Sequence, residues 1–360
     1  MNKEWPQESH AKHFAKPILQ TPERLLNHCL QHAGAIVRRV ADGYKAKDHD
    51  DEFIKVRNIT MDCFVEGASP SRSMVNSLPI LQYVPEWVPG AGFQKIAKAW
   101  RPLYNASIKP PLDFAKQQLA SGLAEESFSG ALSKKNISLE EEDVYTLLGL
   151  CLVVSLSFSH INVAHSTFTG GGETTAVTVY FFFLMLCIRP DIQQRAHAEM
   201  DRVTGGSRLP TFEDREHLPY LEVLTKEVMR YHPVLMVSLT RRWVFHPQRK
   251  MSRDREVYAD PETFNPERFL GSSPEQDPRD IVFGFGRRIC PGHFLAERSL
   301  YITLAICIAT FDINLVVEEG RPVLPEYEPE GGPTSRVRPF EGIISARDPE
   351  ITSAILGEEV

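Results

Sequence analysis

Apolar residues recur at helical spacing from Thr21-Pro22-Glu23 through Val40, and Gly43 follows as a stop, so the chain's first part is predicted to be helical. A stretch punctuated by Pro and Gly comes next, from Leu78 to Phe93. It is too apolar for a linker and suits a loop laid against a core or a membrane surface. A helix over about 95–124 follows, expected to be interrupted at Pro110-Pro111. Acidic residues in Ile137 to Asp143 mark another helix start, favourable for its dipole. No charged residue then appears until Glu173, and Leu147 to Phe158 is densely apolar. That span reads as a membrane helix or a buried core helix. Ser155, Ser157, Ser159, His160 and Asn162 dilute it and favour the core. Pro190 to Val203 is amphipathic, with Pro at its start and Gly205-Gly206 beyond its end. A further helix runs from Pro219 to about His232, before Pro233. Residues 234–290 are mostly loop. Pro291 to Ile313 returns to a long apolar helix, and 314–360 holds turns and a strand at Gly342-Ile343-Ile344. The pattern is predominantly α, with minor β and no internal repeat.

Composition narrows this picture. The 360 residues are 42% hydrophobic and 24% charged, enough for a sizeable core. A net charge of −7 lacks the basic footprint of a nucleic-acid binder. Met1 to Pro6 opens polar, without an apolar core of signal length. The sequons at Asn58, Asn105 and Asn136 read as chance matches. Six scattered cysteines form no CxxC pair, and most suit small buried apolar roles.

Cys290 needs another explanation. It ends Phe283-Gly284-Phe285-Gly286-Arg287-Arg288-Ile289-Cys290-Pro291-Gly292, a Gly-rich loop entering a helix. A helix N-terminus lowers a thiol's pKa, and its N–H groups are placed to donate to the sulfur of a metal thiolate. Glycines admit a flat ligand, and Arg288 suits an acidic group on it. A dinucleotide loop fails for want of a third Gly at the required spacing. A structural cysteine at a tight turn is the remaining alternative. Two further patterns stand out. Glu227 and Arg230 lie at i,i+3 on one helix face, which alone is an ordinary solvated ion pair. Gly170-Gly171-Gly172-Glu173-Thr174-Thr175 precedes an apolar helix; three glycines at roughly 1 kcal/mol each mark a helix end or a distortion. From the residues alone, a loop capped by Thr174 or Thr175 is the better reading.

The cysteine segment resembles the FxxGxRxCxG haem-binding signature of the cytochrome P-450 family, with Phe283, Gly286, Arg288, Cys290 and Gly292 at every fixed position. Glu227 and Arg230 resemble the family's ExxR pair. Pro266-Glu267-Arg268-Phe269 resembles its PERF segment, with Arg268 22 residues before Cys290. The Gly-rich stretch resembles the (A/G)Gx(D/E)T(T/S) motif of the long distal helix. Leu78 to Gly92 and Lys116 to Gly122 are similar to the middle helices of fungal members, in a group resembling O-methylsterigmatocystin oxidoreductase. The resemblance implies a mainly α P-450-type fold and a monooxygenase that inserts one oxygen atom of O2 into a small hydrophobic organic substrate, a secondary metabolite or xenobiotic. It implies haem b (iron protoporphyrin IX) with Cys290 as axial iron ligand. Thr174 and Glu173 would serve oxygen activation and proton supply, and Glu227, Arg230 and Arg268 would form a structural triad. His232-Pro233 through Arg241-Arg242 fits a segment whose last Arg reaches a haem propionate, which makes Arg242 a cofactor-binding candidate. NADPH electrons would arrive through a flavoprotein reductase. Arg287, Arg288 and Arg298 are positioned to attract it, or are ordinary solvated arginines. The family implies the endoplasmic reticulum membrane; a chain without an N-terminal anchor is expected to be cytoplasmic.

Against the family's pattern, the chain is expected to be one truncated domain. It would have middle helices over 1–145, an atypical apolar insert over 146–168 and a haem-binding half over 169–360. The membrane anchor, the first helices and a strand pair between Arg242 and Met251 are expected to be missing. The insert resembles translated non-coding sequence, so a truncated or mis-spliced product is expected. The rival function is a catalytically inactive remnant that binds haem or a partner.

Overall fold

The computed structural model describes residues 6–47, 51–68, 75, 78–122, 163–235, 238–239, 245–286, 289–330 and 334–356. The chain forms two compact units. One comprises Met1–Ile36, Thr174–Glu330 and Ser335–Val360; the other comprises Val37–Glu173 and Gly331–Thr334. Helices are α1 Pro6–Gln20, α2 Leu25–Asp42, α3 Glu52–Ala68, α4 Gly92–Ala120, α5 Val163–Ile188, α6 Pro190–Thr204, α7 Pro219–Tyr231, α8 His293–Thr310 and α9 Pro349–Leu356. Single helical turns occur at Gln248–Met251 and Arg279–Val282.

The core of the first unit forms around two helices that are apolar on every side. On α5, Phe181, Phe182, Phe183 and Leu184 are consecutive and fully buried. Four successive side chains point all round a helix, so α5 has protein on all faces there. The α8 residues Ile302, Leu304, Ala305 and Ile306 are likewise excluded from solvent. Helix α1 packs along α8, with Ala11, Phe14, Ala15 and Ile18 on its buried face. Helix α6 is amphipathic and buries Ile192, Ala196 and Met200. Its Gln193 amide substitutes for a strand: Nε2 donates to Ile313 O at 3.0 Å, and Ile313 N donates to Oε1 at 2.9 Å. Gly205 closes α6 in the left-handed region (φ +68°), its N–H bonded to Asp201 O.

Strand content is small and wholly antiparallel among the described residues. Strands β1 Ser238–Leu239 and β2 Phe245–His246 pair with each other. Strand β3 Phe311–Asn314 pairs with β6 Ile343–Ala346, from Phe311↔Ala346 to Asn314↔Ile343. Strands β4 Val316–Glu318 and β5 Arg321–Val323 form a hairpin.

The second unit holds the end of α2, α3, α4 and the first part of α5, and α3 packs on α4. Gly43, at φ +70°, ends α2 as its position predicts.

Several expectations are corrected. Helix α4 runs unbroken through Pro110-Pro111. Pro110 and Ala106 are both exposed, so the Ala106 carbonyl that loses its donor faces water. The helix expected to reach Ile313 ends at Thr310, because Phe311 turns extended (φ −116°, ψ 140°) to join β3. Helix α5 continues through Gly170 to Thr175, so the cap reading gives way to a helix interior. Leu147 to Phe158 lies outside the described residues, as do Asn136 and Cys151.

Candidate functional site

Cys290 sits between the helical turn Arg279–Val282 and α8. The loop closes on itself: Cys290 N donates to Phe283 O at 2.7 Å, and Ile289 N donates to Gly286 O at 3.2 Å. Gly284 and Gly286 have φ of +76° and +56°, a region that only glycine enters without strain. The sequence pattern of two glycines around one Phe is therefore a backbone requirement. Past the cysteine, His293 N donates to Cys290 O, and His293 Nδ1–H donates to the same oxygen at 2.7 Å.

The sulfur meets opposing influences. Burial pushes the Cys290 thiol up, and the Gly292 N–H beside it pulls it down. In the protein chain alone, burial is the larger of the two influences. A Cβ on Gly292 would lie 4.0 Å from Sγ, an ordinary van der Waals distance. Among the described residues no group of three His, Cys, Asp or Glu is placed to hold a metal ion. One thiolate retains a metal only if another molecule supplies most of the ligands, as a porphyrin does with its nitrogens. The donor set thus fits haem.

Behind this loop, Glu227, Arg230 and Arg268 come together. Glu227 and Arg230 are fully buried and Arg268 nearly so. Arg230 makes a two-pronged contact with the carboxylate, Nε to Oε2 at 2.7 Å and Nη2 to Oε1 at 2.8 Å. Its Nη1 donates to Ser252 O and Pro261 O. Arg268 approaches Glu227 at 3.3 Å and donates to Ala259 O and Glu275 Oε2. Asn265 N donates to Glu227 Oε1 at 2.7 Å. Buried guanidiniums thus hold the meandering segment 252–268 by its carbonyls, where no regular ladder exists to do so. The i,i+3 pair is a core lock, not a solvated pair.

Glu173 and Thr174 lie inside α5, and Glu173 is buried. The division between the two units falls between them, with Thr174 in the unit that contains Cys290. Thr178 Oγ1 donates to Thr174 O at 2.9 Å, one turn away. On the other side of that division, a Cβ on Gly171 would sit 3.0 Å from Val37, and one on Gly172 would collide with the Arg57 guanidinium. The glycines therefore admit close neighbours. Arg242, Arg287 and Arg288 lie outside the described residues. The Arg298 guanidinium lies over the Phe212 ring, 4.5 Å from its centre.

Sequence reasoning missed Arg57, and it missed the charges Arg215, Glu222, Arg279 and Glu297 that surround the ends of the cysteine segment. Neither group forms a local motif. Only the Gly triplet hinted that something bulky approaches α5.

The cytochrome P450 family model matches residues 50–245 and 243–331. Cytochrome P450 monooxygenase 208 of Postia placenta is 35% identical over 353 residues, covering 93% of this chain and 66% of that protein. Cytochrome P450 monooxygenase ppsD of Aspergillus oryzae is 34% identical over 358 residues, covering 92% and 65%. Cytochrome P450 monooxygenase claR of Ampulloclitocybe clavipes is 30% identical over 368 residues, covering 95% and 65%. The chain belongs to the cytochrome P450 family. It spans about two thirds of the length of these curated relatives.

Proposed function

We propose that this protein is a haem-thiolate monooxygenase that inserts one oxygen atom of O2 into a small hydrophobic substrate, a fungal secondary metabolite or xenobiotic. Its electrons come from NADPH through a flavoprotein reductase. The observation that carries this is the cysteine loop: a lone sulfur beside the Gly292 N–H, on a loop closed by the Cys290–Phe283 hydrogen bond. Bound haem supplies dioxygen binding and oxidising power. The chain's own residues do the rest. Cys290 holds the iron through Sγ, and the Gly292 N–H tempers the charge on that sulfur. Phe283 fixes the loop through its carbonyl. Glu173 and Thr174 supply protons from the carboxyl and the Oγ1 hydroxyl. Arg242 and Arg288 bind the haem carboxylates. Glu227, Arg230 and Arg268 keep the scaffold behind the thiolate rigid.

We further infer association with the endoplasmic reticulum membrane. Supporting this, Ile80, Tyr83 and Trp87 are 74%, 79% and 82% exposed on the Pro- and Gly-rich loop before α4. Aromatic residues of this kind favour the water–lipid boundary.

Spectroscopy of the purified, haem-supplied chain tests the function. The reduced, CO-bound protein should show a thiolate-type Soret band that is lost in Cys290→Ala. Absence of haem uptake by the unsubstituted chain overturns the enzyme reading in favour of a non-catalytic remnant.

A further inference from the structure

Four charged side chains from four separate segments form a closed ring in the first unit. Arg215 Nη2 contacts Glu222 at 2.8 Å and Glu297 at 2.6 Å. Arg279 Nη1 contacts the same two carboxylates, Glu222 at 3.2 Å and Glu297 at 2.8 Å. Every cation touches both anions, and every anion touches both cations. Their side chains are only 20–28% exposed, so water screens the contacts less than it would on an open surface. Arg215 also lies over the buried Tyr301 ring, 4.6 Å from its centre.

The ring's placement gives it a task. Arg279 begins the helical turn that leads into the cysteine loop, and Glu297 stands in α8 just after it. Their contact ties the two ends of the Cys290 segment together. Glu222 belongs to α7, the helix of Glu227 and Arg230, and Arg215 belongs to the 3-10 turn Phe212–His217 before it. The ring therefore joins both ends of the loop to the rigid helix behind it. A second tether runs parallel: Asp277 is held by Arg279 at 2.5 Å and by Lys226 of α7 at 2.9 Å. Among the described residues, the Cys290–Phe283 and Ile289–Gly286 backbone hydrogen bonds close the loop on itself, and the ring holds its two ends to α7.

We propose that Arg215, Glu222, Arg279 and Glu297 are positioning residues that fix the Cys290 loop, and through it the direction in which the sulfur is presented. The proposal rests on Cys290 as the metal ligand, and its test is built so that the two ideas fail separately. The first measurement uses the full chain without added haem. Peptide-resolved hydrogen exchange should show the Ile289, Cys290 and His293 amides exchanging about tenfold faster in Glu297→Gln and Arg279→Gln. Exchange in the middle of α7 should remain unchanged. Arg279→Lys keeps the charge and should retain most of the protection, a rescue that shape alone does not predict. The second measurement uses the haem-supplied chain. The same Gln variants should lose part of the thiolate-type band to a thiol-type band, and Arg279→Lys should keep it. Unchanged loop exchange in both Gln variants, or loop and α7 rising together, overturns the ring's role. A thiolate band present in the unsubstituted chain and undiminished in the Gln variants does the same. No band in the unsubstituted chain overturns the haem reading, while the exchange data still decide the ring.

Discussion

A methyl group on Gly172 would run into the Arg57 guanidinium, whereas one on Gly170, two residues earlier in α5, would meet nothing within 4 Å. The two positions therefore answer the same substitution with opposite signs. Alanine in place of a helix-interior glycine ordinarily stabilises by about 1 kcal/mol. Gly170→Ala should deliver that gain. Gly172→Ala should instead destabilise by about 1–3 kcal/mol, because Arg57 is fully buried and has little room to retreat. Denaturant titrations of both variants check this; equal stabilisation would sink the account of why Gly172 is glycine. At this scale the sequence is only half readable. Glu227, Arg230, Arg268 and Cys290 carry their pattern in fixed local spacings. The neighbour that makes Gly172 necessary is distant in the chain, and so are the members of the four-charge ring. No spacing rule announces contacts of that kind.

Helix limits were the most legible elements, because Pro and Gly act locally. Pro190 and Gly205 bracket α6, and Pro219 opens α7, each where backbone chemistry demands it. The Pro pair inside α4 misleads: Ala106, four residues before Pro110, is exposed, so water offsets the first proline's lost bond, whereas Ser107, four residues before Pro111, is buried and the second proline has no such offset. The Phe311 strand was hidden because an apolar run does not state its period; only pairing with β6 distinguishes it from one more turn of α8. The loop before α4 is the element whose chemistry remains unused by the fold. Its Ile80, Tyr83 and Trp87 face solvent, and Lys95, Lys98 and Arg101 follow on exposed positions of α4. Lys98 reaches back to Glu86 on the loop. Apolar and aromatic tips beside cations suit an anionic lipid surface. The chain should co-sediment with vesicles containing anionic lipid, and Trp87→Ser with Tyr83→Ser should lower the bound fraction severalfold. Equal binding by the double variant would remove the loop from the membrane proposal.

Across the first unit, buried histidines couple stability to pH. His32 stacks on Phe14 at 4.4 Å and bonds Thr303 Oγ1 at 2.8 Å, and burial followed by the His10 charge depresses its pKa to about 3. His232 donates from Nε2 to Ser335 O and accepts the Tyr327 hydroxyl at Nδ1. Burial, then Arg249 and Arg253, bring it to about 4 against the opposing Ser335 bond. Burial and Arg347 bring His197 to about 4, while Asp312 and the Phe311 carbonyl oppose them. Each of these folded values lies below the unfolded value of about 6.5. As pH falls through 6.5, the unfolded chain takes up protons that the folded chain refuses. The stabilisation is complete above pH 6.5, declines between about 6.5 and 4, and is spent below the folded values. Asp277 stays outside that window. Its burial is outweighed by Arg279 and Lys226, which hold its pKa at about 2. Between pH 6 and 4.5 each such histidine adds up to about 1.4 kcal/mol per pH unit to the slope of unfolding free energy. His232→Gln keeps a donor for Ser335 and cannot titrate, so urea titrations across that range should show the slope reduced by one histidine's share. An unaltered slope would mean that His232 is already protonated in the folded unit, and that the Tyr327–His232–Ser335 chain is wrongly assigned. None of this was visible in the sequence, where twelve histidines look alike until burial separates them.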